Sequence, residues 1–230
     1  MKKGFAVIFD MDGVLVDNNP VHVETWKIYA DRLEFELTPE KIKNDLYGRT
    51  NADAFRRLYN PDLTDRQCAK LSQEKEALYR EIYKETIHPV DGLIDFLSEI
   101  KEMFVPMVIA TSAIPENVEF VTKMLGIADY FQFVINETHV TKGKPDPEVY
   151  LITVEKLGLP AKNCVVIEDS LSGVQAGISA GCKVVGLTTS HSAIELAHTD
   201  KVINDFTEIN YELLHDLVSG SNVLGHNRIR

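Results

Sequence analysis

Short, nearly unbroken apolar runs recur along the chain at residues 5–9, 106–110, 131–135, 165–167 and 183–187, and they are rich in Val and Ile. Strands that show no polar alternation are strands covered on both faces, the condition of a parallel sheet between helical layers. Between the later runs, residues 116–125, 147–157 and 172–180 carry apolar positions at helical spacing. Strand–helix alternation of this kind predicts an α/β fold, a Rossmann-like parallel sheet in a three-layer α/β/α core. In such sheets ligands collect beyond the carboxyl ends of the strands.

The pattern changes over residues 21–87, where helical stretches at 21–33, 39–46, 52–58 and 65–83 follow one another with no strand. Breaks fall at Gly48, at Asn60-Pro61 and at His88-Pro89. The expected organisation is a core of residues 1–17 and 90–218, an inserted α-helical cap of residues 18–89, and a polar tail of residues 219–230. The two crossings, Asn18-Asn19-Pro20 and 88–92, would lie side by side and serve as a hinge for a cap that opens and closes.

Composition narrows the function classes. The 230 residues carry a formal net charge of −11 and no basic stripe, which argues against a nucleic-acid partner. The five apolar residues behind Met1-Lys2-Lys3-Gly4 are too few for a secretory core or a membrane span. Three cysteines, Cys68, Cys164 and Cys182, without a paired motif suggest reduced thiols in a cytoplasmic protein, and Cys164 and Cys182 sit in or beside apolar runs, as packing residues do.

The candidate chemistry sits where the runs end. Run 5–9 stops at Asp10 and Asp12, run 107–110 at Thr111-Ser112, and run 165–167 at Glu168-Asp169, while GKPDP at 143–147 carries Lys144 into a helix. Two aspartates in a loop are usually turn chemistry. Three polar strand ends and one helix start around one parallel sheet, however, converge on a single mouth. Crowded carboxylates repel one another unless a cation joins them. Oxygen donors without His or Cys select a hard ion, and the expected one is Mg²⁺. A carboxylate, a lysine and a hydroxyl beside such an ion form a setting for phosphoryl transfer.

Asp10-Met11-Asp12-Gly13-Val14, Thr111-Ser112, Lys144 and Glu168-Asp169-Ser170 resemble, in order, the four motifs of the haloacid dehalogenase superfamily. The resemblance spans nearly the whole chain. It implies that Asp10 is a nucleophile forming an aspartyl-phosphate, and that Asp12 is the acid for the leaving group and then the base for water. It implies Mg²⁺ held by Asp10, the Asp12 carbonyl and Asp169, with Glu168 in or near that sphere. Thr111 and Lys144 would bind the transferring phosphoryl group, with Ser112 beside them.

The helical insertion is similar to that of the β-phosphoglucomutase-like branch. There a histidine at the place of His22 assists proton transfer, and a cap lysine at the place of Lys75 binds phosphate; the ordinary reading of Lys75, between Glu74 and Glu76, is surface charge pairing. Arg49, in the break after Gly48, is a candidate anion ligand, with Thr50 or Asn51 as the cap of the next helix. The mutases of the branch place an arginine, a serine and an asparagine on the distal phosphate, where this chain has Asn51, Ala113 and Pro115. The expectation is therefore an Mg²⁺-dependent phosphatase of a small phosphorylated metabolite, a monomer as is common in the branch. The alternatives are a hexose-phosphate mutase or an inorganic pyrophosphatase. Dehalogenases of the superfamily lack the Asp12 acid.

Overall fold

The computed structural model describes residues 4–46 and 49–220; Gly48, the N-terminal Met1-Lys2-Lys3 and the tail beyond residue 220 lie outside them. Strand β1 (Ala6–Phe9) is followed by helices α1 (Asn19–Leu33) and α2 (Pro39–Lys41), a wide π-helical turn (Ile42–Leu46), α3 (Asn51–Leu58) and α4 (Asp65–Tyr83). The chain returns through α5 (Leu93–Glu102) to β2 (Met107–Ala110), α6 (Pro115–Met124), β3 (Val134–Ile135) and α7 (Glu148–Leu157). Strand β4 (Cys164–Glu168), α8 (Leu171–Ser179), β5 (Lys183–Leu187), β6 (Lys201–Ile203) and α9 (Tyr211–Ser219) complete it.

The strands form one parallel sheet in the order β3-β2-β1-β4-β5-β6, with Phe9 beside Ile109 on one flank and Ile167 on the other. Period two explains why the runs read as continuously apolar. Val7, Phe9, Ile109, Val165, Ile167, Val185 and Leu187 face one core, with Phe96, Leu97 and Leu214 from α5 and α9. Ile8, Val108, Ala110, Val166 and Val184 face the other, with Tyr150 of α7 and Val174 of α8. The predicted run 131–135 contributes only two strand residues; Phe131 instead packs edge-on against Phe9 with ring centroids 5.6 Å apart. Strand β6 is too short to announce itself in the sequence.

Helices α1, α3 and α4 share a third core made by Trp26, Tyr29, Leu46, Ala54, Phe55, Leu63 and Cys68. Thr64 closes the start of α4 with a capping box to Gln67, and Thr50 caps α3 by accepting from the Asp53 N–H. The strand order reverses direction at β1 and β4, the switch point where loops diverge and leave a crevice. Asp10 and Asp169 follow those two strands.

Candidate active site

Three carboxylates meet at the switch point. Asp10, Glu168 and Asp169 are all buried, and each offers an oxygen within 4.8 Å of the others. Lys144 reaches in from the loop before α7. Its Nζ donates to Asp10 Oδ1 at 2.8 Å and to Glu168 Oε1 at 2.5 Å, and lies 5.1 Å above the Tyr150 ring. Burial opposes the lysine's charge, but the two carboxylates outweigh it and hold its pKa well above the ordinary value. One cation does not balance three acids. Burial first, and the neighbouring Glu168 charge after it, push Asp10 up to about 7, against the pull of Lys144. Asp169 is pushed well up by burial and by Glu168 and Asp10. An all-oxygen pocket with excess buried negative charge fits a hard divalent cation. Ser190 Oγ donates to Asp169 Oδ2.

Glu168 lies under the site. Its Oε1 accepts from Lys144 and from the Tyr150 hydroxyl at 2.9 Å, and its Oε2 from the N–H groups of Asp169 and Ser170 and from Ser170 Oγ, at 3.0 to 3.1 Å. It thereby fixes the turn that leads into α8, whose first turn is capped by Ser170 Oγ accepting from the Gly173 N–H at 3.0 Å. Gly173 allows this, because a Cβ there would fall 1.7 Å from Glu168 Oε1. Gly13 plays the same part for Asp169: it has φ +76° and its Cβ would meet Asp169 Oδ2 at 1.9 Å.

Thr111 follows β2, with its Oγ1 accepting from the Ala113 N–H at 3.1 Å, and Ser112 stands exposed beside it. Asp12 accepts from Asn18 Nδ2 at 2.6 Å. Asn18 is fully buried and also meets the Gly13 N–H and the Tyr79 hydroxyl, so the first crossing is a fixed node. His22 stacks flat on Tyr79, with centroids 4.1 Å apart, and its Nε2 is 3.9 Å from Asp12 Oδ1.

One cleft is lined by nine of the ten sequence candidates: Asp10, Asp12, His22, Arg49, Lys75, Thr111, Ser112, Lys144 and Asp169; Glu168 is the exception. The surface reading of Lys75 is overturned. It is 1% exposed, donates to Glu76 at 2.7 Å and lies 3.1 Å from His22 Nδ1. Arg49 lines the cleft while donating to Asp53 at 2.9 Å. Glu76, Asn117, Ser190 and His191 also line it, and the sequence reading passed over all four. Only Glu76 carried a signal, being an acid one turn from Tyr79 on the inner edge of a long amphipathic helix. Ser190 and His191 belong to a loop after β5 with no motif around it.

The chain matches the family model described as haloacid dehalogenase-like hydrolase over residues 7–187. The chain belongs to that family. This haloacid dehalogenase-like hydrolase is 31% identical over 209 residues to hexitol phosphatase A of Escherichia coli strain K12, covering 90% of this chain and 93% of that one. It is 26% identical to the β-phosphoglucomutase of Bacillus subtilis strain 168, covering 92% and 94%. Among solved structures, a HAD hydrolase of family IA, variant 3, from Entamoeba histolytica HM-1:IMSS superposes with a TM-score of 0.87 at 32% identity, covering 94% of this chain and 99% of that one. Among the described residues no helix is long and apolar enough to cross a membrane.

Proposed function

We propose that this hydrolase is an Mg²⁺-dependent phosphatase that cleaves a small phosphorylated carbohydrate or polyol through an aspartyl-phosphate on Asp10. The observation that carries the reading is Lys144 held between Asp10 and Glu168 at the switch point, with Thr111 and Asp169 on either side. Asp10, the Asp12 backbone carbonyl and Asp169 would hold the cation, which screens the phosphate charge so that a carboxylate can approach. Both Glu168 oxygens are engaged elsewhere, which supports a role in aiming Lys144 rather than direct ligation.

In the first half-reaction the Asp10 carboxylate attacks phosphorus and the ester P–O bond breaks. Asp12, entering as the carboxylic acid, gives its proton to the departing alkoxide. In the second, the Asp12 carboxylate takes a proton from water, the water oxygen attacks phosphorus, and Asp10 and inorganic phosphate separate. Lys144 and Thr111 Oγ1 bind the transferring oxygens. The Asn18 donor to Asp12 Oδ1 fixes which oxygen meets the leaving group.

The name of the Escherichia coli relative supports a phosphorylated polyol, and three positions weigh against a mutase. Asn51 spends its amide on Glu76, the Ala113 N–H is taken by Thr111, and Pro115 opens α6 without a donor. None supplies the second anion grip a mutase needs.

The deciding experiment incubates purified protein with hexitol phosphates, hexose 1- and 6-phosphates and pyrophosphate, with and without Mg²⁺, following phosphate and isomer together. Phosphate release from an ester that requires Mg²⁺ and vanishes in Asp10→Asn, with the fold retained, is expected. Isomer formed without phosphate would establish the mutase instead.

A further inference from the structure

Beside the two crossings, the helices α1–α4 meet the core through a polar contact between α4 and α6. Asn117, in the first turn of α6, is 2% exposed. Its Oδ1 accepts from Arg80 Nη1 at 2.7 Å and its Nδ2 donates to Glu76 Oε2 at 2.7 Å. Glu76 and Arg80 are four residues apart on α4, so they share a face. An acid and an arginine at that spacing can pair directly; here a side chain from the sheet side stands between them and takes one bond from each.

The other Glu76 oxygen holds Asn51 Nδ2 and Lys75 Nζ, both at 2.7 Å, and Lys75 leads to His22. His22 and Asn18 then lead to Asp12. The row thus starts on the sheet side at Asn117, runs through the helical insertion, and ends at the sheet side again on Asp12. The insertion's cleft-facing groups are registered at two ends, one at the crossing and one at Asn117.

We propose that Asn117 is a positioning residue, the sheet-side half of a latch that seats α4 and so sets Glu76, Lys75 and His22 over Asp10 and Asp12. The chemistry favours asparagine at this point. Its amide offers an acceptor to a guanidinium and a donor to a carboxylate at once. An aspartate in its place would keep the first bond and set two acids against each other, and a leucine of similar volume would lose both. Opening the insertion breaks both bonds together, so the latch adds to the closed state's share of the population, and the apparent affinity of any ligand bound by the closed state scales with that share.

The proposal rests on the phosphatase reading for its kinetic arm only. With Mg²⁺ present, three variants are compared with the parent: Asn117→Leu, Asn117→Asp and Arg80→Met, the last altering a side chain that does not line the cleft. Each is expected to lower kcat/KM about tenfold or more, mostly through KM, and to weaken inorganic phosphate binding read from Trp26, the single tryptophan and a cleft residue. Asn117→Asp should be at least as damaging as Asn117→Leu. The Arg80→Met, Asn117→Leu double variant should be no worse than Asn117→Leu alone. Amide exchange should speed up in α4 and in the first turn of α6 while the sheet keeps its protection.

Arg80→Met within twofold of the parent in both phosphate binding and exchange would overturn the latch, as would additive effects in the double variant. Should Asn117→Leu fail to fold, Arg80→Met carries the decision. A parent that releases no phosphate from any ester would sink the function proposed above, while the exchange comparison would still judge the latch.

Discussion

Gly173→Ala gives a sharp test of the site's foundation. By helix propensity the change should help: Gly173 lies within α8, where alanine is favoured over glycine by up to about 1 kcal/mol. The structure demands the opposite. The new Cβ would sit 1.7 Å from Glu168 Oε1 and 2.0 Å from its carboxyl carbon, against an ordinary contact of about 3.5 Å. Backbone on one side and a fully buried carboxylate on the other leave little slack, so Glu168 must swing away by well over an ångström. It then loses part of its set of five donors, namely Lys144, the Tyr150 hydroxyl, two N–H groups and Ser170 Oγ. Hydrogen bonds to a charged group contribute about 1.5–3 kcal/mol each, so losing two costs about 3–6 kcal/mol and the propensity gain returns about 1. The net expectation is about 2–5 kcal/mol of destabilisation in urea unfolding. Lys144, no longer aimed, should cost about a hundredfold or more in kcat/KM. A variant equal to or more stable than the parent, with its activity intact, would refute the claim that Glu168 is a rigid pillar.

Other expectations follow from the same charges. Mg²⁺ should stabilise the fold with the logarithm of its concentration above the dissociation constant, by about 2.7 kcal/mol at a hundred times that constant, and so raise the melting temperature; Asp169→Asn should abolish most of the rise, and calorimetry with and without chelator decides it. Burial opposes ionisation of Glu76, yet Lys75, His22 and the donors from Lys75 and Asn51 outweigh it and hold its pKa at about 2, below the ordinary 4.5. A lowered acid contributes stability above its unfolded pKa and loses it as pH falls, so up to about 3 kcal/mol should disappear between about pH 4.5 and pH 2, and Glu76→Gln should flatten that part of the acid limb in urea titrations. Burial pushes the Cys164 thiol up to about 11 and Cys182 up to about 12, and Cys68 is buried as well. Thiol titration of the native protein should therefore stay slow and reach three equivalents only on unfolding; rapid native labelling would contradict the packing.

Much of the architecture was legible because it is written in local periodicity. The runs at 5–9, 106–110, 165–167 and 183–187 announced doubly covered strands, and the helix spans 21–33 and 65–83 differ from α1 and α4 by at most two residues at either end. That Asp10, Thr111 and Asp169 would meet at one edge was legible too, because a parallel sheet brings every strand's carboxyl end there whatever the intervening chain does; Lys144 joins them from the loop before α7.

Lys75 shows where that reasoning stops. Two acids flank it in sequence, and a solvated helix face is the ordinary outcome; only the packing of α1, α4 and α6 decides that Lys75 and Glu76 face inward while Glu74 faces water. Asn117, Ser190 and His191 were silent for the same reason, since their partners lie 37, 21 and 22 residues away in the chain. The sequence by itself determined the sheet, the helical insertion and the residues at the strand ends, because these depend on the period of apolar side chains and on the polarity of a parallel strand. Which buried charges pair, and how the insertion is seated on the sheet, was decided only by tertiary structure, because those contacts depend on distances between segments that no local spacing encodes.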